Sequence, residues 1–327
     1  MNKLTKIGVS ALCGSLASVA AANAGSMDVT GSASASYTSL SDTVVGNPLG
    51  MTTALTFTGN GELDNGSTFK VTIAHDNKAE YSSAAIALTT PSLGTFTYDE
   101  GGGTGIDRID DMMPTAWEET DGTGLGTGAK TVSGAGGNSD IEWNVGMGLP
   151  DGMNVYASFA PRPDASQNAK KKSSGASTVG NGNGWDVVIT HSGLLDGLNV
   201  FAGLSSVEQN ATLGDLDSEA YGFTYAIGGA TIGYQQSSID NSVAAGKYYD
   251  TDAYAISYSI NDDLTISYGI HESKSSSTGS TAEAQSFQIS YSVGGATLVF
   301  AESDVDNQNY QTGTNREGRT VAITLAF

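Results

Sequence analysis

The chain has 327 residues, among them 43 Gly, 6 Pro and a single Cys, and 14 basic residues stand against 35 acidic ones for a net charge of −21. A protein that grips nucleic acid needs Lys and Arg to displace counterions from phosphates, so that partner class is excluded. One Cys and three His leave little material for a zinc site, a thiol centre or a disulfide framework. Nor is there a run of about 18–20 apolar residues to make a spanning helix.

The chain opens with Lys3 and Lys6, continues through a mostly small and apolar run from Ile7 to Ala22, and reaches Ala22-Asn23-Ala24. That order of basic, apolar and small-x-small is the layout of a secretory signal, and it predicts a leader over 1–24 and a mature domain over 25–327. Cys13 follows bulky Leu12, which argues against a lipoprotein acceptor.

From residue 27 onward, alternating segments recur. They predict strands over 27–38, 51–61, 67–75, 81–90, 94–100, 139–149, 153–161 and 184–193. Eight more follow over 198–206, 219–228, 230–238, 252–260, 264–272, 284–293, 296–303 and 319–327, sixteen in all. Tyr254, Ile256, Tyr258 and Ile260 alternate with Ala255, Ser257 and Ser259; Phe287, Ile289, Tyr291 and Val293 alternate with Gln288, Ser290 and Ser292. One face of each segment is apolar and the other small and polar. The last segment ends the chain on Phe327, and a terminal strand leaves an unpaired edge unless it pairs on both sides; closure against the first strand removes that edge.

Connections alternate between tight and long. Leu63-Asp-Asn-Gly66, Pro91-Ser-Leu-Gly94, Pro150-Asp-Gly152, Leu195-Asp-Gly197, Gly228-Gly229, Asn261-Asp-Asp263 and Gly294-Gly295 are turn chemistry. The others are longer and rich in Gly, Ser, Asn and Asp, apart from the short link 76–80. A soluble sandwich would bury the apolar faces between two sheets. A membrane barrel turns them outward to lipid and keeps polar groups and water within. The signal, the two loop classes and the closing strand favour an all-β transmembrane antiparallel barrel. Trp143, Trp185, Tyr98 and Phe327 lie near strand ends, where interfacial aromatic girdles form.

Gly25-Ser-Met-Asp-Val-Thr-Gly-Ser-Ala-Ser-Ala-Ser-Tyr37, the hairpin from Leu55 to Val71, and Leu93-Gly-Thr-Phe-Thr-Tyr98 running into a Gly-rich acidic loop follow one another in the chain. In that order they resemble the first strands and third loop of Gram-negative general porins. The resemblance implies a 16-stranded homotrimeric barrel in the outer membrane, with a long third loop folded into the lumen of each. Two departures stand out. The second link, Asp76–Glu80, is short for a latch over a neighbouring subunit, and the basic cluster that many porins set against the acidic loop is sparse.

The longest connection, 101–138, carries Asp107, Arg108, Asp110, Asp111, Glu118, Glu119 and Asp121. A loop of that length on a barrel is unlikely to be idle. With the resemblance, it predicts an inward segment around Ile106–Trp117, pinned by Ile109, Met112, Met113 and Trp117. On the residues alone, a solvated external loop remains the alternative. Lys70 lies between Phe69 and Val71, and Glu142 between Ile141 and Trp143, so both share the small-residue phase and are expected to face the pore. Arg316 and Arg319 are placed at its rim. Lys170-Lys171-Lys172 reads as an external patch toward anionic lipopolysaccharide.

The chemistry expected is passage, not catalysis: size exclusion of small hydrophilic solutes and ions, biased toward cations by carboxylates. No cofactor is required, although Asp107, Asp110 and Asp111 offer hard oxygens for Ca²⁺ without an EF-hand spacing. The alternatives are a substrate-specific uptake channel, for which inward Tyr156 and Phe201 are a thin aromatic lining, and a non-conducting surface protein. An enzyme built on His191-Ser192 is disfavoured, because adjacent strand residues point to opposite faces.

Overall fold

A strand that alternates large apolar with small polar residues has two unlike faces, and joining sixteen of them keeps like faces together only if every register is even. The computed structural model describes residues 25–41, 46–77, 83–100, 102–120, 125–163, 182–209, 214–241 and 248–327. Among them run β1 (Met27–Leu40), β2 (Leu49–Glu62), β3 (Thr68–Asp76), β4 (Ser83–Thr90), β5 (Gly94–Asp99), β6 (Asp140–Val145), β7 (Met153–Pro161) and β8 (Asn183–His191). The second half holds β9 (Leu198–Val207), β10 (Leu216–Ile227), β11 (Ala230–Asn241), β12 (Tyr248–Ser259), β13 (Leu264–Ser275), β14 (Thr281–Val293), β15 (Ala296–Asp306) and β16 (Arg316–Ala326). A 3-10 helix, Gly105–Met112, lies in the β5–β6 connection.

Every strand is antiparallel to its sequence neighbours, and β16 pairs with β1, so the sheet is a closed barrel. The closing register runs from Ser32 opposite Ala326 to Leu40 opposite Gly318. Beyond it, Gly31 N–H and Phe327 N–H each donate to the other's carbonyl at 2.9 Å. The Phe327 ring covers Gly31, where an added Cβ would sit 2.7 Å from Cζ. The chain's own terminus takes the space at Gly31.

Two phases divide the wall. Val29, Ile141, Phe159, Trp185, Leu204, Ile256, Leu298 and Ile323 are all exposed on one. Ser158, Ser205, Ser267, Ser286, Gln288, Ser303 and Thr320 are buried on the other. No helix among the described residues is long and apolar enough to cross a membrane. Trp143 stacks on Phe96 with centroids 5.8 Å apart, and its Nε1 donates to the Leu93 carbonyl at 2.6 Å, which roots one aromatic at a strand end.

Two expectations are corrected. β6 ends at Val145, four residues before the end of the alternation, because its partner β5 begins opposite it at Gly94; one more rung, from Gly146 N–H to the Leu93 carbonyl at 3.3 Å, is followed by Gly148 at φ +70°. Arg319 shares the apolar phase with Val321 and Ile323, and its Nε donates to Glu302 at 2.8 Å on that same face. Its side chain is therefore on the outward phase and does not line the mouth. The leader over 1–24, residues 78–80 of the short second link, Asp121 and Lys170-Lys171-Lys172 lie outside the described residues.

Ile256 stands on the apolar phase of β12 between Tyr254 and Tyr258, whereas Ser257 stands on the other. Ile256→Arg is expected to cost about 2–4 kcal/mol of folding free energy in lipid vesicles, and Ser257→Arg far less. Urea titration of vesicle-inserted protein checks the difference.

Candidate functional site: the long β5–β6 connection

The connection leaves β5 at Asp99 and folds at once into the 3-10 helix. Its first N–H groups have no local cap, since Thr104 makes no side-chain capping bond. Wall carboxylates supply the acceptors instead. Gly105 N–H donates to Glu142 Oε2 at 2.7 Å, and Ile106 N–H donates to Asp186 Oδ2 at 3.0 Å. Thr104 Oγ1 donates to Asp140 Oδ1 at 2.8 Å. Ile106 and Ile109 are fully buried with Val132, Val188, Phe201 and Ala220, and Met112, Met113 and Tyr156 pack against this cluster. A Cβ on Gly203 would sit 2.8 Å from Ile109 Cδ1, so that glycine is what lets the helix lie flat on β9.

Farther along, the connection is held by an amide, two hydroxyls and a guanidinium. Ser267 Oγ accepts from Ala116 N–H at 2.9 Å. Gln288, 1% exposed, accepts from Trp117 and Glu118 N–H at 3.0 and 3.1 Å and donates to the Glu118 carbonyl at 2.7 Å. Arg316 donates to the Leu125 carbonyl at 2.7 Å, and Tyr310 Oη accepts from Lys130 N–H at 2.9 Å. Ser267, Gln288 and Arg316 stand on the small-residue phase of β13, β14 and β16, and Tyr310 lies in the β15–β16 connection. The contacts reach from β6 to β16.

Charge within the segment is unevenly placed. Arg108 pairs with Glu142, its guanidinium lies 3.7 Å from the centroid of Tyr156, and its Nε donates to the Gly105 carbonyl. The one cation of the helix is thus spent on a wall carboxylate. Burial pushes the Asp107 carboxyl above its usual range; the Gly103 N–H, donated at 2.7 Å, opposes this, and neighbouring Asp111, Asp186 and Asp99 add to the rise. Burial likewise raises Glu118. Asp110, Asp111 and Glu119 bring ligand oxygens within 4.8 Å of one another. Asp107 stands outside that group, so the candidate Ca²⁺ set differs from the one read in the sequence.

A family profile described as Gram-negative porin matches residues 8–311. The chain belongs to the Gram-negative porin family. The barrel resembles an anion-selective porin from Comamonas acidovorans, with a TM-score of 0.73 and 12% identity over 93% of this chain and 100% of that one. It also resembles OmpF of Salmonella typhi, solved with daunomycin, at TM-score 0.70 and 16% identity over 92% and 97%. OmpT, an outer membrane protein of Vibrio cholerae, gives 0.64 and 13% over 93% and 98%. At these identities the likeness is one of fold. Comparison with curated proteins returns no match. The family is one of outer-membrane channels rather than enzymes, and the His191-Ser192 pair is not coupled: His191 Nδ1 accepts from Gly193 N–H while Ser192 Oγ donates to the Gly152 carbonyl.

Of the porin's sequence-read residues, Asp107, Arg108, Asp110 and Asp111 share the helix, Glu118 and Glu119 follow on the Gln288 clamp, and Glu142 joins Arg108. Lys70 is exposed on β3, across the sheet from Asn60 and Ala87. Sequence reasoning missed Asp186, Asp140 and Gln288 as anchors. For Asp186 and Gln288 the signal was a polar side chain on the small-residue phase between apolar neighbours, as in Trp185-Asp186-Val187. Tyr156 and Phe201 do lie on that phase, but they pack against the connection rather than line a slide.

Ile106→Ala removes a fully buried side chain and is expected to weaken the seat by about 2–5 kcal/mol. Hydrogen exchange should rise for amides 104–112 while the strands of the barrel keep their protection.

Proposed function

We propose that this porin is a passive diffusion channel for small hydrophilic solutes and ions across the outer membrane, with weak to moderate cation preference, and that the β5–β6 connection lies inside the barrel and narrows it. The observation carrying the reading is that one connection meets the small-residue phase of strands from β6 round to β16 in a closed ring, which supports an inward path. The segment brings more carboxylates than cations, and Arg108 is matched by Glu142. The passage then runs beside the inner wall of β1–β5, whose small-residue phase includes Ser32, Ser34, Thr56, Thr72, Thr95 and Thr97, with Lys70 beside them. Hydroxyls and water suit unspecific polar solutes; neither a basic ladder nor an aromatic slide lines this wall. A substrate-specific channel is the lesser reading for that reason.

Export through a cleaved leader over 1–24, assembly as a homotrimer and contact with lipopolysaccharide complete the proposal, as does Ca²⁺ at Asp110, Asp111 and Glu119. In a salt gradient across a planar bilayer, the reversal potential should take the cation-selective sign, with a permeability ratio of roughly 3 that shrinks in brine as the Debye length falls below about 8 Å. Asp107→Asn with Asp111→Asn should lower the ratio. An anion-selective sign overturns the proposed preference.

The pH dependence follows from the raised Asp107 and Glu118 carboxyls. Both take up protons at higher pH than solvated Asp or Glu, so cation preference should begin to fall on acidification before ordinary carboxylates titrate. The folded state binds the extra protons, so acidification through this window does not weaken the seat through these two groups. Reversal potentials measured from neutral pH downward test this.

A further inference from the structure

Asp186 sits on β8 between Trp185 and Val187, which are exposed on the apolar phase, and is itself 1% exposed on the other. Its Oδ2 accepts from Ile106 N–H at 3.0 Å and from Gly136 N–H at 2.8 Å, and its Oδ1 accepts from Ala135 N–H at 2.9 Å. Ile106 belongs to the outgoing limb of the β5–β6 connection; Ala135 and Gly136 belong to the limb that returns. A single wall carboxylate therefore ties both limbs. Among the described side-chain hydrogen bonds, the other anchors of this connection each hold one limb or its far end: Glu142 the outgoing limb, Ser267 and Gln288 residues 116–118, Arg316 Leu125.

The fit is chemical as well as topological. Three convergent backbone N–H groups form a concave nest for an anion, and bonds to an ionised acceptor are short and directional. Gly105 and Gly134 close the nest at φ +51° and +54°, where glycine is favoured. A Cβ on Gly134 would stand 2.7 Å from Oδ1, and one on Gly105 would collide with Oδ2. The connection is thus shaped around this one side chain at the two places where it leaves and rejoins the wall.

We propose that Asp186 is the positioning residue that sets the aperture of this channel, by fixing how far the connection stands off β8. The proposal rests on the reading that the connection lies inside the barrel. With the carboxylate gone, Ile106, Ala135 and Gly136 lose their common acceptor on β8, both limbs stand farther from that strand while Glu142, Asp140 and the apolar seat keep the root attached, and the passage widens.

The test compares full-length Asp186→Asn and Asp186→Ala with a third variant, in which residues 106–134 are replaced by a short Gly-Ser linker. All are inserted into planar bilayers. Single-channel conductance and the size cut-off for graded polyethylene glycols are read alongside heat-modifiable gel mobility, which reports the folded barrel. The expected result is a folded band for both Asp186 variants, a conductance raised roughly 1.5-fold and a larger polymer cut-off, bounded above by the linker variant. Asp186→Asn keeps the side chain's shape and carries the test if Asp186→Ala fails to insert. An unchanged or smaller cut-off in the Asp186 variants, with a wider one in the linker variant, overturns the proposal and leaves the pore-narrowing reading standing. Lowered heat stability with an unchanged cut-off also overturns it. A linker variant with the unmodified cut-off removes the pore-narrowing reading itself, and the proposal with it.

Discussion

Inside a bilayer no water is present to satisfy a backbone N–H or C=O, so a sheet can cross only if it has no edge. Everything else in this protein depends on that closure. β16 meets β1 over nine paired residues, from Ser32 opposite Ala326 to Leu40 opposite Gly318, and the chain ends by exchanging two backbone hydrogen bonds between Phe327 and Gly31. Once the ring is shut, the two phases of every strand become an outside and an inside. Large side chains on one phase then have no counterpart to pack against within the chain, which is why Leu298, Ile323 and Ile256 remain exposed.

A closed ring of this size also creates a space that the wall's own side chains, mostly Ser, Thr, Gly and Ala on the small-residue phase, are too short to fill. The long β5–β6 connection meets that phase with two kinds of contact. Near its root it uses an apolar seat, Ile106 and Ile109 on Val188 and Phe201, beside ionised acceptors that replace a missing helix cap. Farther on it relies mainly on neutral groups, Ser267 and Gln288 above all, with Arg316 holding Leu125. The division has an electrostatic consequence. Arg108 and Glu142 satisfy each other, while Asp107 and Glu118 keep carboxyls that burial has made reluctant to ionise. The carboxylates that hold the connection and those that burial has shifted are different ones.

Much of the barrel was legible because period-two alternation is a local property. Tyr254-Ala255-Ile256-Ser257-Tyr258 announces its faces without any knowledge of its neighbours, and the seven tight turns announce which strands are adjacent. The limits of legibility were equally physical. Alternation in Ile141–Leu149 outruns β6, because the partner strand β5 begins only at Gly94, opposite Val145, and where a partner runs out is not contained in any window along one strand. Arg319 reads as a rim cation until its phase shows it beside Glu302 on the apolar side. Tyr156 and Phe201 read as a possible lining until the helix is found lying on them.

The amino-acid sequence by itself determined the strand count, the two-faced wall, the closing terminal strand and the acidic character of the long connection, since each follows from residue types at fixed spacing. Only the tertiary structure decided which of those charges are neutralised and which residues anchor the connection. Asp186 is separated from Ile106 by 80 residues and from Gly136 by 50. Their meeting depends on where a closed ring carries each strand, and that is a property of the whole sheet rather than of any segment in it.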